Sequence, residues 1–199
     1  MPSQPVLLYM MKQKKLPNRQ SMRLQGYDYS SPGYYFITIC TNRKEYVFGD
    51  VTNGKMYMNE YGVVAHHEWF KTELIRDNIR LDEFVVMPNH VHGIIEIIDK
   101  TPIVGANRDS PLRNKIGINN SFYKSKFESP SNNLGAIVRG YKSAVTTQVN
   151  QIRKTPGTKI WQRGYYDHII RNEESLFHIR EYIKTNPMNW NKDRFYQNR

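Results

Sequence analysis

The sequence predicts one α+β domain: an antiparallel sheet with helices on one face and a further helix at the C-terminal end. Three observations predict it. Several runs are rich in β-branched and aromatic residues, two stretches between them carry apolar residues at helical spacing, and the order is strand, helix, strand, strand, helix, strand. At 199 residues the chain is long enough to bury one sizeable core.

Residues 1–26 mix Gln, Lys, Arg, Pro and Asn without periodicity and read as a flexible basic arm. Residues 34–40, aromatic and β-branched, form the first strand, and Arg43 and Lys44 follow at its end. Segments 46–49 and 55–59 flank Asn53-Gly54, the dipeptide of a tight hairpin turn. From 61 to about 78 the period changes to that of a helix, with Val64, Trp69 and Leu74 on its apolar side. His66 and His67 lie on it as neighbours about 100° apart, so they cannot act as a pair.

Residues 81–87 and 90–98 make an antiparallel pair joined at Pro88-Asn89. Between 99 and 133, repeated Pro, Gly, Asn and Ser break every period, which marks a long insertion or loop. Residues 134–153 form the second helix, with Leu134, Ile137, Val138, Tyr141, Val145, Val149 and Ile152 apolar. Residues 165–170 are a strand. Asn172 caps a last helix, which carries Glu173 and Glu174 in its first turn and stops at Asn186-Pro187. A basic tail, 191–199, follows. The centre of this order is βαββαβ, the ferredoxin-like split βαβ arrangement, to which the last helix is added within a domain of residues 27–190.

His90-Val91-His92 lies on the strand 90–98. Residues i and i+2 of a strand share a face, so both imidazoles project together while Val91, Ile95 and Ile97 turn toward the core. Such a pair is either half of a metal site or two solvated histidines. On the last helix Tyr182 and Asn186 are i and i+4 and share a face. The Asn186 amide oxygen would complete a His-His-amide set suited to a hard divalent cation, Mg²⁺ or Mn²⁺, with the Tyr182 phenol one turn away. A phenol of pKa near 10 is a weak nucleophile at neutral pH, and a metal that polarises a phosphoryl oxygen makes its attack feasible. The covalent phosphotyrosine conserves the bond energy for rejoining. Tyr141 is the rival nucleophile, but its i+4 partner is Val145 and its spacing suits a core.

Composition points to a nucleic-acid partner. Lys and Arg number 29 against 18 Asp and Glu, a net charge of +11, and the 14 tyrosines offer faces on which unpaired bases stack. Arg43, Arg139, Lys142, Arg163 and Arg171 are the basic residues nearest the proposed site. Each either positions a phosphate or is solvated surface charge. Tyr166 is a stacking candidate. His168 either faces the site or is structural, and Asp167 is either a metal neighbour or a surface charge. The single Cys40 excludes a disulfide framework and a Cys-based zinc site. No apolar run reaches membrane-span length and no signal-peptide apolar region is present, so a cytoplasmic protein is expected.

Four segments carry a family resemblance: Met87-Pro88-Asn89-His90-Val91-His92, Gly140-Tyr141-Lys142-Ser143, Ile160-Trp161-Gln162-Arg163-Gly164-Tyr165-Tyr166 and Tyr182-Ile183-Lys184-Thr185-Asn186-Pro187. In this order they resemble the IS200-like Y1 transposase family, most closely its REP-associated tyrosine transposase branch. The resemblance implies that His90 and His92 are the HUH metal-binding motif, Tyr182 the single catalytic tyrosine and Asn186 the polar metal ligand. It also implies cleavage of single-stranded DNA beside imperfect hairpins, with a 5′-phosphotyrosine link and a free 3′-OH, by a monomer or by a homodimer that exchanges the tyrosine helix. The insertion 99–133 and the arm 1–26 depart from a minimal member. The alternative is a non-catalytic or domesticated hairpin DNA- or RNA-binding protein; a metal hydrolase using the same histidines is a third.

Overall fold

Strand β1 (Gly33–Cys40) is apolar on both faces, and for that reason it lies inside the sheet. Tyr35, Ile37 and Ile39 point to one side, and Tyr34, Phe36 and Cys40 to the other. In this computed structural model, which describes residues 24–99 and 133–197, β1 pairs antiparallel with β5 (His90–Ile97) and β6 (Tyr166–Ile170). Strand β4 (Ile79–Met87) completes the order β4-β5-β1-β6. A separate hairpin, β2 (Gly49–Thr52) and β3 (Lys55–Met58), turns through Asn53 and Gly54 at φ 52° and 72°. Positive φ at both positions is what the right-handed twist of a two-residue hairpin requires. The arm residues 1–23 and the insertion residues 100–132 lie outside the described residues.

Helix α1 (Glu60–Leu74) starts where the Asn59 side chain accepts the Tyr61 and Gly62 amides. Helix α2 (Leu134–Arg153) is capped in the same way by Asn133, and it ends at Lys154 in the left-handed region. Both pack on one face of the sheet. There Ala65 and Trp69, with Ile137, Tyr141, Val145 and Val149, cover Ile37, Ile39, Val91 and Ile95. Tyr141 is buried and donates to the Ala65 carbonyl at 3.0 Å, so it is a core residue. Among the described residues no helix is long and apolar enough to cross a membrane.

The last helix, α3 (Glu173–Thr185), lies on the opposite face. Leu176 and Ile183 bury against Ile94 and Ile170, while Arg180 forks onto Asp82 of β4 and Lys184 pairs with Glu83 at 3.2 Å. The helix that the sequence marks as an addition is therefore the second helical layer of the molecule, with the sheet between it and α1 and α2.

Two segments differ from the sequence expectation. Val47 and Phe48 are buried but not in a strand, because the Phe48 amide donates to the Pro88 carbonyl instead of a ladder partner. Residues 191–197 pack rather than trail: Phe195, with Trp190, is buried against Cys40 and Met87. Two aromatic rings hold this segment down despite its basic composition.

Gly93 sits under the stacked Trp69 and Phe84 rings, whose centroids are 4.4 Å apart. A Cβ there would overlap the Trp69 ring. Gly93→Ala is expected to destabilise the fold by about 1–3 kcal/mol through overpacking, measured as a lower urea midpoint at unchanged m-value.

Candidate active site

The β5 register sets His92 opposite Thr38 and His90 opposite Cys40. The period-two alternation of the strand puts both imidazoles on the α3 face, with Nε2 atoms 3.0 Å apart. Both rings are buried, at 0 and 1% exposure. Each has a partner for its other nitrogen: His90 Nδ1 meets Asn89 Oδ1 at 2.9 Å, and His92 Nδ1 meets Thr38 Oγ1 at 2.8 Å. Asn89 decides one tautomer. Its amide nitrogen donates to the carbonyls of Lys44 (3.2 Å) and Phe195 (2.8 Å), which leaves Oδ1 as an acceptor only. His90 must then carry its hydrogen on Nδ1 and present a bare Nε2 lone pair toward His92.

Burial, aided by the cations Arg194 and Lys44, lowers His90 to about 3. Burial also holds His92 well below the usual imidazole value, with His90 beside it acting in the same direction. Both rings are neutral at pH 7, the form that binds metal.

Helix α3 brings the Tyr182 hydroxyl to 3.2 Å from His92 Nε2 and 3.4 Å from Asp193 Oδ2. One turn on, Asn186 donates through Nδ2 to Asp193 Oδ2 at 3.0 Å, while its Oδ1 is enclosed without a hydrogen-bond partner. Asp193 follows the 3-10 turn Pro187–Lys192, and its other oxygen accepts the Phe195 amide at 2.7 Å. Ligand atoms of His90, His92 and Asp193 lie within 4.8 Å of one another. Burial and the Asp193 charge push the Tyr182 phenol up to about 12, so it is protonated at neutral pH. Phe36 stacks on His92 at 5.3 Å and meets Tyr182 edge-on at 6.1 Å, which fixes both rings from the side. Phe195 covers His90 at 4.7 Å.

The structure thus brings together His90, His92, Tyr182 and Asn186, as the sequence spacing anticipates. The sequence reading missed Asp193, which reaches the site only because the chain reverses after Asn186. It also gave no role to Asn89, whose signal was its place beside His90. Two imidazole nitrogens, a carboxylate and an orphaned amide oxygen beside a phenol suit a divalent cation, so the residues present fit a metal.

The remaining candidates are dispersed. Tyr166 pairs with Thr38 and shares the histidine face, with the Arg194 guanidinium 5.2 Å over its ring. His168 pairs with Phe36 on that same face, whereas Asp167 alternates to the other. Arg139 is on α2, across the sheet from the histidines. Lys142 donates to the Gln162 and Gly164 carbonyls at 2.7 and 2.9 Å, and it lines with Arg163 a groove of about 1150 Å³ between α2 and the segment before β6. Arg43 and Arg171 are exposed, in the turns that follow β1 and β6.

The histidines set an acid limb. The unfolded chain protonates imidazole near 6.5, whereas folded His90 does so only near 3. The stability that comes from keeping it neutral is fully present above pH 6.5 and is lost as pH falls toward 3. Each such histidine contributes up to roughly 1.4 kcal/mol per pH unit in this window. Urea unfolding between pH 7 and 4 in EDTA is expected to show this slope, and His90→Gln to flatten it by one proton's worth.

No family model matches the chain. An uncharacterized protein of Haemophilus influenzae is 39% identical over 179 residues, covering 90% of this chain and 93% of that one. The solved structure of a REP-associated tyrosine transposase bound to a REP hairpin matches with a TM-score of 0.54 and 18% identity, over 84% of this chain and 74% of that one. The second likeness is one of fold; the first is one of descent, and the chain belongs to the same family as the Haemophilus influenzae protein.

Proposed function

We propose that this protein is a metal-dependent transposase that cuts and rejoins single-stranded DNA near hairpins through a phosphotyrosine on Tyr182. The observation that carries the reading is the Tyr182 hydroxyl 3.2 Å from His92 Nε2 within one chain. The fold shared with a protein solved on a REP hairpin, the family resemblance of the four ordered motifs and the net charge of +11 support it.

In this reading His90, His92, Asp193 and the free Oδ1 of Asn186 hold the cation, Mg²⁺ or Mn²⁺. When bound, it supplies positive charge that polarises the scissile phosphate. Asn89 and Thr38 hold the imidazoles in ligand orientation, the role of hydrogen-bond partners behind a metal site. Tyr182 Oη forms a bond to phosphorus as the bond from phosphorus to the 3′-oxygen breaks. The phenol proton balances the new 3′-OH, and the 5′-phosphate stays on the tyrosine. An incoming 3′-OH reverses these bond changes and rejoins a strand. The packing of α3 on its own sheet supports a reading in which one chain supplies every group named. Arg43, Arg139, Lys142, Arg163, Arg171 and Tyr166 are proposed as backbone and base contacts, which set register on the strand rather than perform chemistry.

Incubation with labelled hairpin DNA and Mn²⁺, followed by a denaturing gel, is expected to give a covalent adduct with the native protein and none with Tyr182→Phe. An adduct in the variant would mean another nucleophile; binding with no adduct on any hairpin would favour the non-catalytic reading. Asn89→Ala is expected to weaken Mn²⁺ binding about 10- to 100-fold, read by calorimetry and as a smaller metal-induced rise in Tm.

A further inference from the structure

Beside the tyrosine, on the same face of the sheet, a second groove of about 570 Å³ runs between β6 and the first turns of α3. Its walls are Phe36, His168, Ser175, His178 and Ile179, with Asn172 and Glu174 at its outer end. This volume lies within the ~300–1,000 Å³ of sites that enclose small ligands. We propose that the groove is a subsite for one unpaired nucleobase next to the phosphate that Tyr182 attacks. The proposal rests on the phosphotyrosine reading for what lies at its inner end.

Continuity with the site is the first argument. His178 is four residues before Tyr182 and Ser175 is seven before it, so all three follow one face of α3. Phe36 belongs to both places: it stacks on His92, stands edge-on to Tyr182 and forms the groove's inner wall. His168 sits across the ladder from Phe36 and extends this aromatic floor to the edge strand. A strand whose phosphate lies at the Tyr182 hydroxyl would have its next nucleotide over Phe36.

Chemistry is the second argument. Among the described residues no lysine or arginine lines this groove, and a carboxylate does, so a phosphate is disfavoured there. Rings that offer flat faces favour a base, because stacking on aromatics tolerates any sequence. Glu174 accepts hydrogen bonds only, and therefore favours an amino-bearing base over thymine, whose single N3–H lies between two carbonyl oxygens that a carboxylate repels. In a duplex those base edges are paired, so the occupant is single-stranded.

A double-mutant cycle tests this. Hairpin DNA with a single-stranded flank, carrying an abasic site at successive flank positions, is titrated by fluorescence anisotropy against protein in the Tyr182→Phe background with Mn²⁺. At one position the abasic site is expected to weaken binding about tenfold, the scale of one base–aromatic stack. It should weaken binding less than twofold once His168→Ala and His178→Ala are added. Both histidines are exposed, so the fold should tolerate the change. Glu174→Gln is the second variant and is expected to erase any preference for cytosine over thymine at that position. Equal abasic penalties with and without the histidines at every position, or a flank that adds nothing to hairpin affinity, would overturn the subsite. Coupling without an adduct in the native protein would sink the phosphotyrosine reading alone; an adduct without coupling would sink the subsite alone.

Discussion

Two neutral imidazoles facing each other across 3.0 Å, fully buried, are the arrangement around which one side of this molecule is built. Taking imidazole out of water is tolerable only if each ring keeps a hydrogen-bond partner and stays uncharged. Thr38 serves one ring through the β1–β5 register, and Asn89 serves the other from the turn before β5. The two Nε2 atoms face each other beside the Tyr182 hydroxyl, within reach of the Asp193 carboxylate. A hydrogen on His92 Nε2 can bridge the pair, and a cation in its place would meet a donor set already oriented.

That burial needs cover from two directions, and the chain provides it with two apolar patches on the same sheet face. Leu176 and Ile183 of α3 close over Ile94 and Ile170, while Trp190 and Phe195 close over Met87 and Cys40. The histidines lie in the seam. Rotation of α3 about its axis would carry Tyr182 away from His92, and here the charged contacts matter. Exposed ion pairs contribute little to stability. The two-pronged Arg180–Asp82 contact, however, is directional, and with Lys184–Glu83 it ties one flank of the helix to β4. Hydrophobic burial fixes that α3 docks; these pairs help fix which way Tyr182 points.

Most elements were legible because their signals are local. Runs of β-branched and aromatic residues found β1, β5 and β6, the Asn53-Gly54 pair found the hairpin, and apolar spacing found α2 over 134–153. The period of two along a strand placed His90 and His92 on one face, and the i, i+4 rule placed Asn186 one turn from Tyr182. What no local signal carries is which sheet face a helix covers, and so the second helical layer formed by α3 was not foreseen. Asp193 was invisible for a related reason. It lies seven residues beyond Asn186, after a 3-10 turn with no periodicity to extrapolate, in a stretch whose composition resembles a solvated tail. Two buried rings there, Trp190 and Phe195, were the available clue that the segment packs.

Asn89 shows how the separate parts depend on each other. Its amide nitrogen holds the Phe195 carbonyl, its oxygen fixes the His90 tautomer, and the Phe195 ring covers His90. The residue after the strand-connecting proline thus joins the strand pair β4–β5 to the end of the chain through a single side chain. Loss of that side chain would strip the Phe195 carbonyl of its donor and free the His90 ring at once, two effects that neither a solvent-exposed asparagine nor an ordinary turn residue would produce. The histidine pair and the segment that supplies the Asp193 carboxylate therefore form as one unit. A phenol placed beside that unit by α3 meets groups already ordered, which is what the proposed phosphoryl transfer by a weak nucleophile would require.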